Sequence, residues 1–397
     1  MPDVEIPNHF DHRSGAAIVE HAREPGMALA LSGGGFRATL FHAGALWRLN
    51  ELKLLRDLKA ITSVSGGSIT SGLLGLRWKQ LTFDRSGQAT NFVELIVKPI
   101  RQFCSRGCDV NTVLRGWLNP LRRPSDYLAQ HYRNTLFGNA TLQDLPDEGE
   151  GPRFTIYATS LGTGVSVRML RKRLADYRIG EIPNPTVPLA TAVAASSAFP
   201  PLYVPLVLKT DPNAWRKFEG AYLFDNVAFR KTMYLGDGGI YDNMGLQSIA
   251  DRYETVLVSD AGSPFVDRSS AGWMRVSQVS RLLRTLAIID RESRAERRSA
   301  FVGDIQRGSV KGTLWRIGTD IEDFPLASVQ RPGPMLPYND TAKSLARIRT
   351  RLNCFSEREQ GWLINWGYAL ADAALRSRVL DAGVPAGVWP VPEFKLS

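Results

Sequence analysis

Lys59-Ala-Ile-Thr-Ser-Val-Ser-Gly-Gly-Ser-Ile-Thr70 is the stretch on which the fold turns. Its first half has the apolar, β-branched composition of a buried strand. The pair Gly66-Gly67 stops that run, and a helix carrying Leu73, Leu74 and Leu76 follows. Ser65 falls at the corner. A serine on a sharp strand-to-helix turn is lifted out of the sheet with its hydroxyl exposed, and its neighbours must be small because strand and helix nearly touch there. Ser63, Gly66 and Gly67 satisfy that need. A plainer use of the same residues is a helix start capped by Ser65 or Ser68. The choice between the two depends on whether the chain also supplies an oxyanion site and a base.

Upstream, Met27-Ala-Leu-Ala-Leu31 is a short apolar run that stops at Ser32-Gly33-Gly34-Gly35, and the spacing from Ala38 to Leu55 is helical. Downstream, Phe154–Thr159, Met233–Gly236, Thr255–Val258 and Leu314–Ile317 read as strands. Leu189–Phe199, Val276–Arg298 and Glu357–Leu380 read as helices, the first stopped by Pro200-Pro201. Residues 206–232 read as an irregular or hairpin excursion. Strand and helix alternate, which predicts an α/β fold with a mainly parallel central sheet sandwiched by helices. The expected organisation is an N-terminal arm over residues 1–26 and a catalytic domain over 27–250. Within that domain, residues 80–150 form an insertion or lid near the mouth of the sheet. A C-terminal extension, 251–397, packs on the sheet or completes it.

The 397 residues are 44% hydrophobic and 22% charged, an ordinary balance for a folded globular chain. With 49 basic against 39 acidic side chains the formal charge is +10, which favours anionic partners, lipid head groups or nucleic acid. Cys104, Cys108 and Cys354 cannot form a disulfide framework without a remainder, which points to a reducing, cytoplasmic compartment. Cys104 and Cys108 lack a second ligand pair, so no metal site is expected. Met1–Pro7 has neither a basic start nor an apolar run, so no secretory signal is expected, and no apolar segment reaches spanning length. Contact with a membrane would be peripheral.

Gly33-Gly34-Gly35-Phe36-Arg37 lies between a strand and a helix start, so its unshielded N–H groups and the helix dipole favour an anion. A Walker loop would need Gly-Lys-Ser/Thr where Arg37-Ala38-Thr39 stands. Gly33, Gly35 and Ala38 match a dinucleotide fingerprint, yet the next strand ends in Ser63-Val64-Ser65 with no carboxylate for the ribose. An oxyanion hole is the use that also accounts for Ser65. A serine nucleophile needs a base, and the five histidines, His9, His12, His21, His42 and His131, do not suit the usual order in which acid and histidine follow the serine. Asp237 is the better candidate. It follows a strand directly, and Gly238-Gly239 let the backbone turn so that the carboxylate faces a neighbour across the sheet edge. Its pKa of about 3.9 would have to be raised by burial. A bare Asp-Gly turn remains the plainer use.

Gly33–Arg37, Ser63-Val64-Ser65-Gly66-Gly67 and Asp237-Gly238-Gly239, in that order, resemble the three motif blocks of the patatin-like phospholipases. Ala194–Pro201 and Gly239–Asn243 are similar to that family's intervening helix and post-aspartate stretch. Ser63 departs from the usual glycine that opens the nucleophile block. The resemblance covers about residues 27–250 and implies a lipid acyl hydrolase without cofactor or metal. In it Ser65 is the nucleophile and Asp237 the base, Gly33, Gly34 and Gly35 form the oxyanion hole, and Arg37 orients that loop or meets a lipid phosphate. Ser63, Gly67, Gly238 and Gly239 support the turns. The implied substrate is a phospholipid or other lipid ester reached at an anionic membrane surface, with nucleic acid disfavoured. An acyltransferase or thioesterase of the same fold, or a catalytically idle lipid- or nucleotide-binding regulator, are the alternatives.

Overall fold

The structure, a computed structural model, describes residues 22–106, 122–200, 203, 205–264, 278–326, 340–350, 352–381 and 383–396, apart from the side chains of Val279 and Leu283. Most of the expected N-terminal arm, with His9, His12 and His21, lies outside the described residues, as do Cys108, Trp117, Pro120 and the first residues of the expected 276–298 helix.

β1 (Glu24–Leu31) and β2 (Leu58–Val64) are joined by α1 (Gly35–Glu51), and α2 (Gly66–Arg77) leaves β2 through Ser65. β1 and β2 pair in parallel, β3 (Arg153–Ser160) continues the parallel set beyond β2, and β9 (Tyr253–Asp260) and β10 (Lys311–Arg316) extend it on the far side of β1. The order is β10-β9-β1-β2-β3, then β4 (Ser166–Met169), β5 (Arg173–Asp176) and β6 (Gly180–Pro183), all three antiparallel. β7 (Leu206–Lys209) and β8 (Thr232–Asp237) pair antiparallel and bracket the stretch 206–232 expected to be an irregular or hairpin excursion, and β8 pairs antiparallel with β3.

Alternation along the strands sorts side chains onto two faces. Leu29, Leu31, Ile61 and Leu257 point into the larger core, whereas Ala28, Ala30, Ala60, Val256 and Val258 meet Met244, Leu246, Ile249 and Phe301 on the other face. Both faces are thus covered, the arrangement a parallel sheet requires. The described part of 80–150, the expected insertion or lid, contributes apolar side chains to the core. Phe92, Ile96, Ile100 and Phe103, leading into and along α3 (Lys98–Arg106), join the larger core together with Leu128 and Tyr132 of α4 (Pro124–Tyr132). Helical spacing gives these apolar side chains a common face, and burying it here outweighs an independent layer at the mouth.

Chain order then brings α5 (Leu189–Ser196), α6 (Val227–Lys231), α7 (Gly239–Asp242), α8 (Gln278–Gln306), α9 (Asp340–Arg347) and α10 (Glu357–Arg378). α10 starts on a capping box, Ser356 with Glu359, and lies against α1 so closely that a Cβ at Gly44 would overlap the Ile364 carbonyl and one at Gly367 the Phe41 carbonyl. Buried Asp372 is clamped there between Arg48 (2.7 Å) and Arg376 (3.1 Å). Removing one partner of such a buried set costs about 3–5 kcal/mol, because it strands the remaining charge.

Candidate active site

The topology brings Ser65 and Asp237 together through β3. β4 occupies one edge of β3 at Ile156–Thr159, so β2 and β8, which overlap β4 along β3, both lie on the other edge. β2 pairs up to Val64 opposite Tyr157, and β8 takes over at the next position, with Asp237 opposite Ala158. The two strands run toward each other and stop where they meet. Ser65, one residue past β2, and Asp237, the last residue of β8, therefore face one another across that junction.

Ser65 has φ 51° and ψ −119°, a region that non-glycine residues enter at a cost of about 1–3 kcal/mol. Several bonds hold it there. Its N–H donates to the Ser196 hydroxyl (2.8 Å), and its carbonyl accepts from Ser68 N–H (2.8 Å) and Ile69 N–H (3.3 Å) as α2 begins. Gly66 and Gly67 are small for a visible reason: a Cβ on the first would overlap the Gly35 carbonyl, and one on the second the Leu31 carbonyl. α2 thus leans directly on the glycine loop. Ser63, at the end of β2, donates to the Thr155 carbonyl (3.4 Å) and accepts from the Ser68 hydroxyl (3.1 Å).

Asp237 is 3% exposed, and burial raises its pKa to about 7. The Gly239 N–H, donating to Oδ1 at 2.7 Å, and the Ser65 side chain pull the value down, while Asp290 on α8 pushes it up. The backbone around the aspartate is pinned too. Asp237 N–H donates to the Ala198 carbonyl (2.9 Å), Gly238 N–H to the Ser196 carbonyl (3.2 Å), and Thr159 Oγ1 to the Asp237 carbonyl (2.8 Å).

The glycine loop divides its labour. Gly33 N–H donates to the Asn243 carbonyl (3.0 Å) and is not free to hold an oxyanion, a correction to its expected role. A Cβ at Gly33 would in addition overlap the Asn243 side chain. Gly34, at φ 146°, turns the chain into α1. Among the described residues, the N–H groups of Gly34, Gly35 and Gly66 have no protein acceptor, as first-turn donors of two helices that start side by side. Arg37 is fully buried. It donates to the carbonyls of Ala261 (2.6 Å), Ile348 (3.0 Å) and Ala346 (3.2 Å) and to Ser263 Oγ (2.9 Å), so it ties the loop to the chain after β9 and is out of reach of a lipid phosphate. Desolvation lowers its pKa to about 10, against the pull of Asp260.

His42 takes no part as a base. It is buried in α1, with Nδ1 against Ser259 Oγ (2.8 Å) and Nε2 against the Ser32 carbonyl (2.9 Å), and burial holds its pKa down at about 4. Ser196, Asn243 and Asp290 are site residues whose roles sequence reasoning missed. The signal for Ser196 was a pair of hydroxyls, Ser196-Ser197, at the end of an otherwise small and largely apolar helix. Asp290 had none, since α8 reaches the site through the tertiary fold. No group of metal-ligating side chains occurs among the described residues.

A search of curated proteins finds no match. Among solved structures, the chain is similar to human GIVD cytosolic phospholipase A2 at 14% identity, with TM-score 0.40, covering 63% of this chain and 50% of that one. The same human protein in complex with methyl gamma-linolenyl fluorophosphonate and terbium chloride gives TM-score 0.46 at 14% identity, covering 87% and 57%. VipD from Legionella pneumophila gives TM-score 0.35 at 14% identity, covering 89% and 66%. The chain thus spans between half and two thirds of these longer chains. A family model described as patatin-like phospholipase matches residues 29–250, a span that begins in β1, takes in the glycine loop, the Ser65 corner and Asp237, and ends before β9. That match covers more than half of the chain, which therefore belongs to the patatin-like phospholipase family.

Proposed function

We propose that the protein is a lipid acyl hydrolase of the phospholipase A or lysophospholipase type, with Ser65 and Asp237 as its catalytic pair. The observation that carries the reading is the abutment of β2 and β8 on one edge of β3, which sets a strained serine against a buried carboxylate whose pKa is about 7. A base poised near neutrality suits proton transfer from a serine. Asp237 takes the Ser65 proton as Oγ bonds to the ester carbonyl carbon, and the carbonyl π pair moves onto oxygen. The N–H groups of Gly34, Gly35 and Gly66 receive that negative charge. Collapse expels the alcohol, which takes the proton from Asp237 and leaves an acyl-enzyme; water then repeats the cycle to release the fatty acid.

Substrate is drawn from a membrane surface in this reading. Phe199 and Ile240, close in sequence to Ala198 and Asp237, are about half exposed, and α8 adds exposed Leu282, Leu286 and Ile289. α8 is tied to the site side by Arg297 Nη2 donating to the Tyr241 carbonyl (3.0 Å). No helix among the described residues is long and apolar enough to cross a membrane.

The test is fatty-acid release from mixed phospholipid vesicles by wild type, Ser65→Ala and Asp237→Ala. Release by the wild type with a loss of at least about 1,000-fold in each variant is expected. Full release by Ser65→Ala would refute the assignment.

A further inference from the structure

Four hydroxyl-bearing or backbone groups behind Ser65 form a chain with a fixed direction. The Ser63 hydroxyl donates to the Thr155 carbonyl (3.4 Å), and Ser68 Oγ donates to Ser63 Oγ (3.1 Å). Ser68 Oγ and Ser196 Oγ lie 2.9 Å apart. A hydroxyl has a single proton. Since that of Ser68 is committed to Ser63, the proton shared with Ser196 must come from Ser196. That leaves a lone pair of Ser196 Oγ facing outward, and Ser65 N–H donates to it at 2.8 Å. Every hydroxyl in the run donates once and accepts once, and all three are buried.

Ser196 has a second attachment. Its carbonyl accepts Gly238 N–H (3.2 Å), and two residues on the Ala198 carbonyl accepts Asp237 N–H (2.9 Å). The end of α5 therefore grips the backbone on both sides of the junction, the serine corner by a side chain and the aspartate turn by carbonyls. We propose that Ser196 is a positioning residue that fixes Ser65 at its left-handed corner and sets its separation from Asp237, with Ser63 and Ser68 orienting its hydroxyl. The role rests on the Ser65–Asp237 assignment above. It also gives a purpose to the serine at position 63. Glycine there would leave the Ser68 proton free to turn to Ser196, and the lone pair presented to Ser65 would no longer be assured.

Ser196→Ala removes one buried oxygen and keeps both carbonyl contacts. Ser68→Ala removes the next link, and Ser197→Ala removes a neighbouring hydroxyl on the same helix end that, among the described residues, bonds to the Val193 carbonyl (2.9 Å) and not to Ser65 or Ser68. The full-length wild type and the three variants are assayed for steady-state hydrolysis of phospholipid vesicles and for the rate of labelling by an alkyl fluorophosphonate. Ser196→Ala is expected to lose roughly 10- to 100-fold in kcat and in labelling rate with KM within about twofold. Ser68→Ala should lose less, and Ser197→Ala should stay within about twofold of wild type. Wild-type kcat and labelling in Ser196→Ala would overturn the role, as would equal losses in Ser196→Ala and Ser197→Ala, which would mark a general loosening of the helix end. A wild type that neither labels nor hydrolyses would refute the Ser65–Asp237 pair itself, and the role of Ser196 with it.

Discussion

Burying Asp237 has a cost that the pH dependence of the protein should display. In the unfolded chain an aspartate titrates near 3.9, and in the fold Asp237 titrates near 7. The folded state therefore holds this proton more tightly. Its contribution to stability is complete below about pH 4, is lost as pH rises toward 7, and leaves a penalty above that, bounded at about 4 kcal/mol. Asp237→Asn abolishes this titration. Its melting temperature relative to wild type is expected to rise between pH 5 and pH 8 while hydrolysis is lost; a difference that does not change with pH would contradict the buried carboxylate. For the wild type, kcat/KM should climb through an acid limb centred near pH 7, where Asp237 ionises and becomes a base. Ser65 and Asp237 could be proposed from sequence because each stands at the end of a strand-like run, just before a glycine pair. Gly33 and Arg37 could not be assigned so well. Which N–H of a glycine loop is already bonded, and which way an arginine turns, depends on Asn243 and on Ala346 and Ile348, residues remote in the chain.

Among elements, the contact between α2 and the glycine loop is the closest that bears on the site. Gly66→Ala would push its methyl group into the Gly35 carbonyl and separate the two helix starts whose N–H groups are proposed to hold the oxyanion. A loss of roughly 100-fold in kcat/KM is expected, together with a lower melting temperature; activity within about twofold of wild type would show that those donors need not converge. The parallel strands were legible because buried strands write apolar or small-residue runs, as in Ala28–Leu31 and, with Thr62 and Ser63 in it, Ala60–Val64. β4, β5 and β6 were not. Each has four residues, and Arg168, Arg171, Lys172 and Arg173 interrupt them, so no periodicity can build up. The packing of α3 and α4 into the core was likewise hidden, since an amphipathic face does not say which surface it will meet.

At the scale of the whole molecule, Phe199 and Ile240, near the site in sequence, and Leu282, Leu286 and Ile289 of α8 are among the exposed apolar side chains. In the proposed function, these side chains together with the chain's net charge of +10 would favour an anionic bilayer. Replacing Leu282, Leu286 and Ile289 together by Gln should weaken co-sedimentation with anionic vesicles by at least about tenfold, and unchanged co-sedimentation would remove α8 from the docking face.

The edge of β3 also acts as a ruler. Because β2 ends opposite Tyr157 and β8 ends opposite Ala158, the spacing of serine and aspartate is counted by a single step of one strand, whatever the length of chain between them. Loops between β3 and β8 that leave the end of α5 in place can lengthen or shorten without altering that count, whereas one residue inserted within Arg153–Ser160 would dislocate it. The element that holds this junction in register is thus β3, a strand to which the proposed chemistry assigns no side chain.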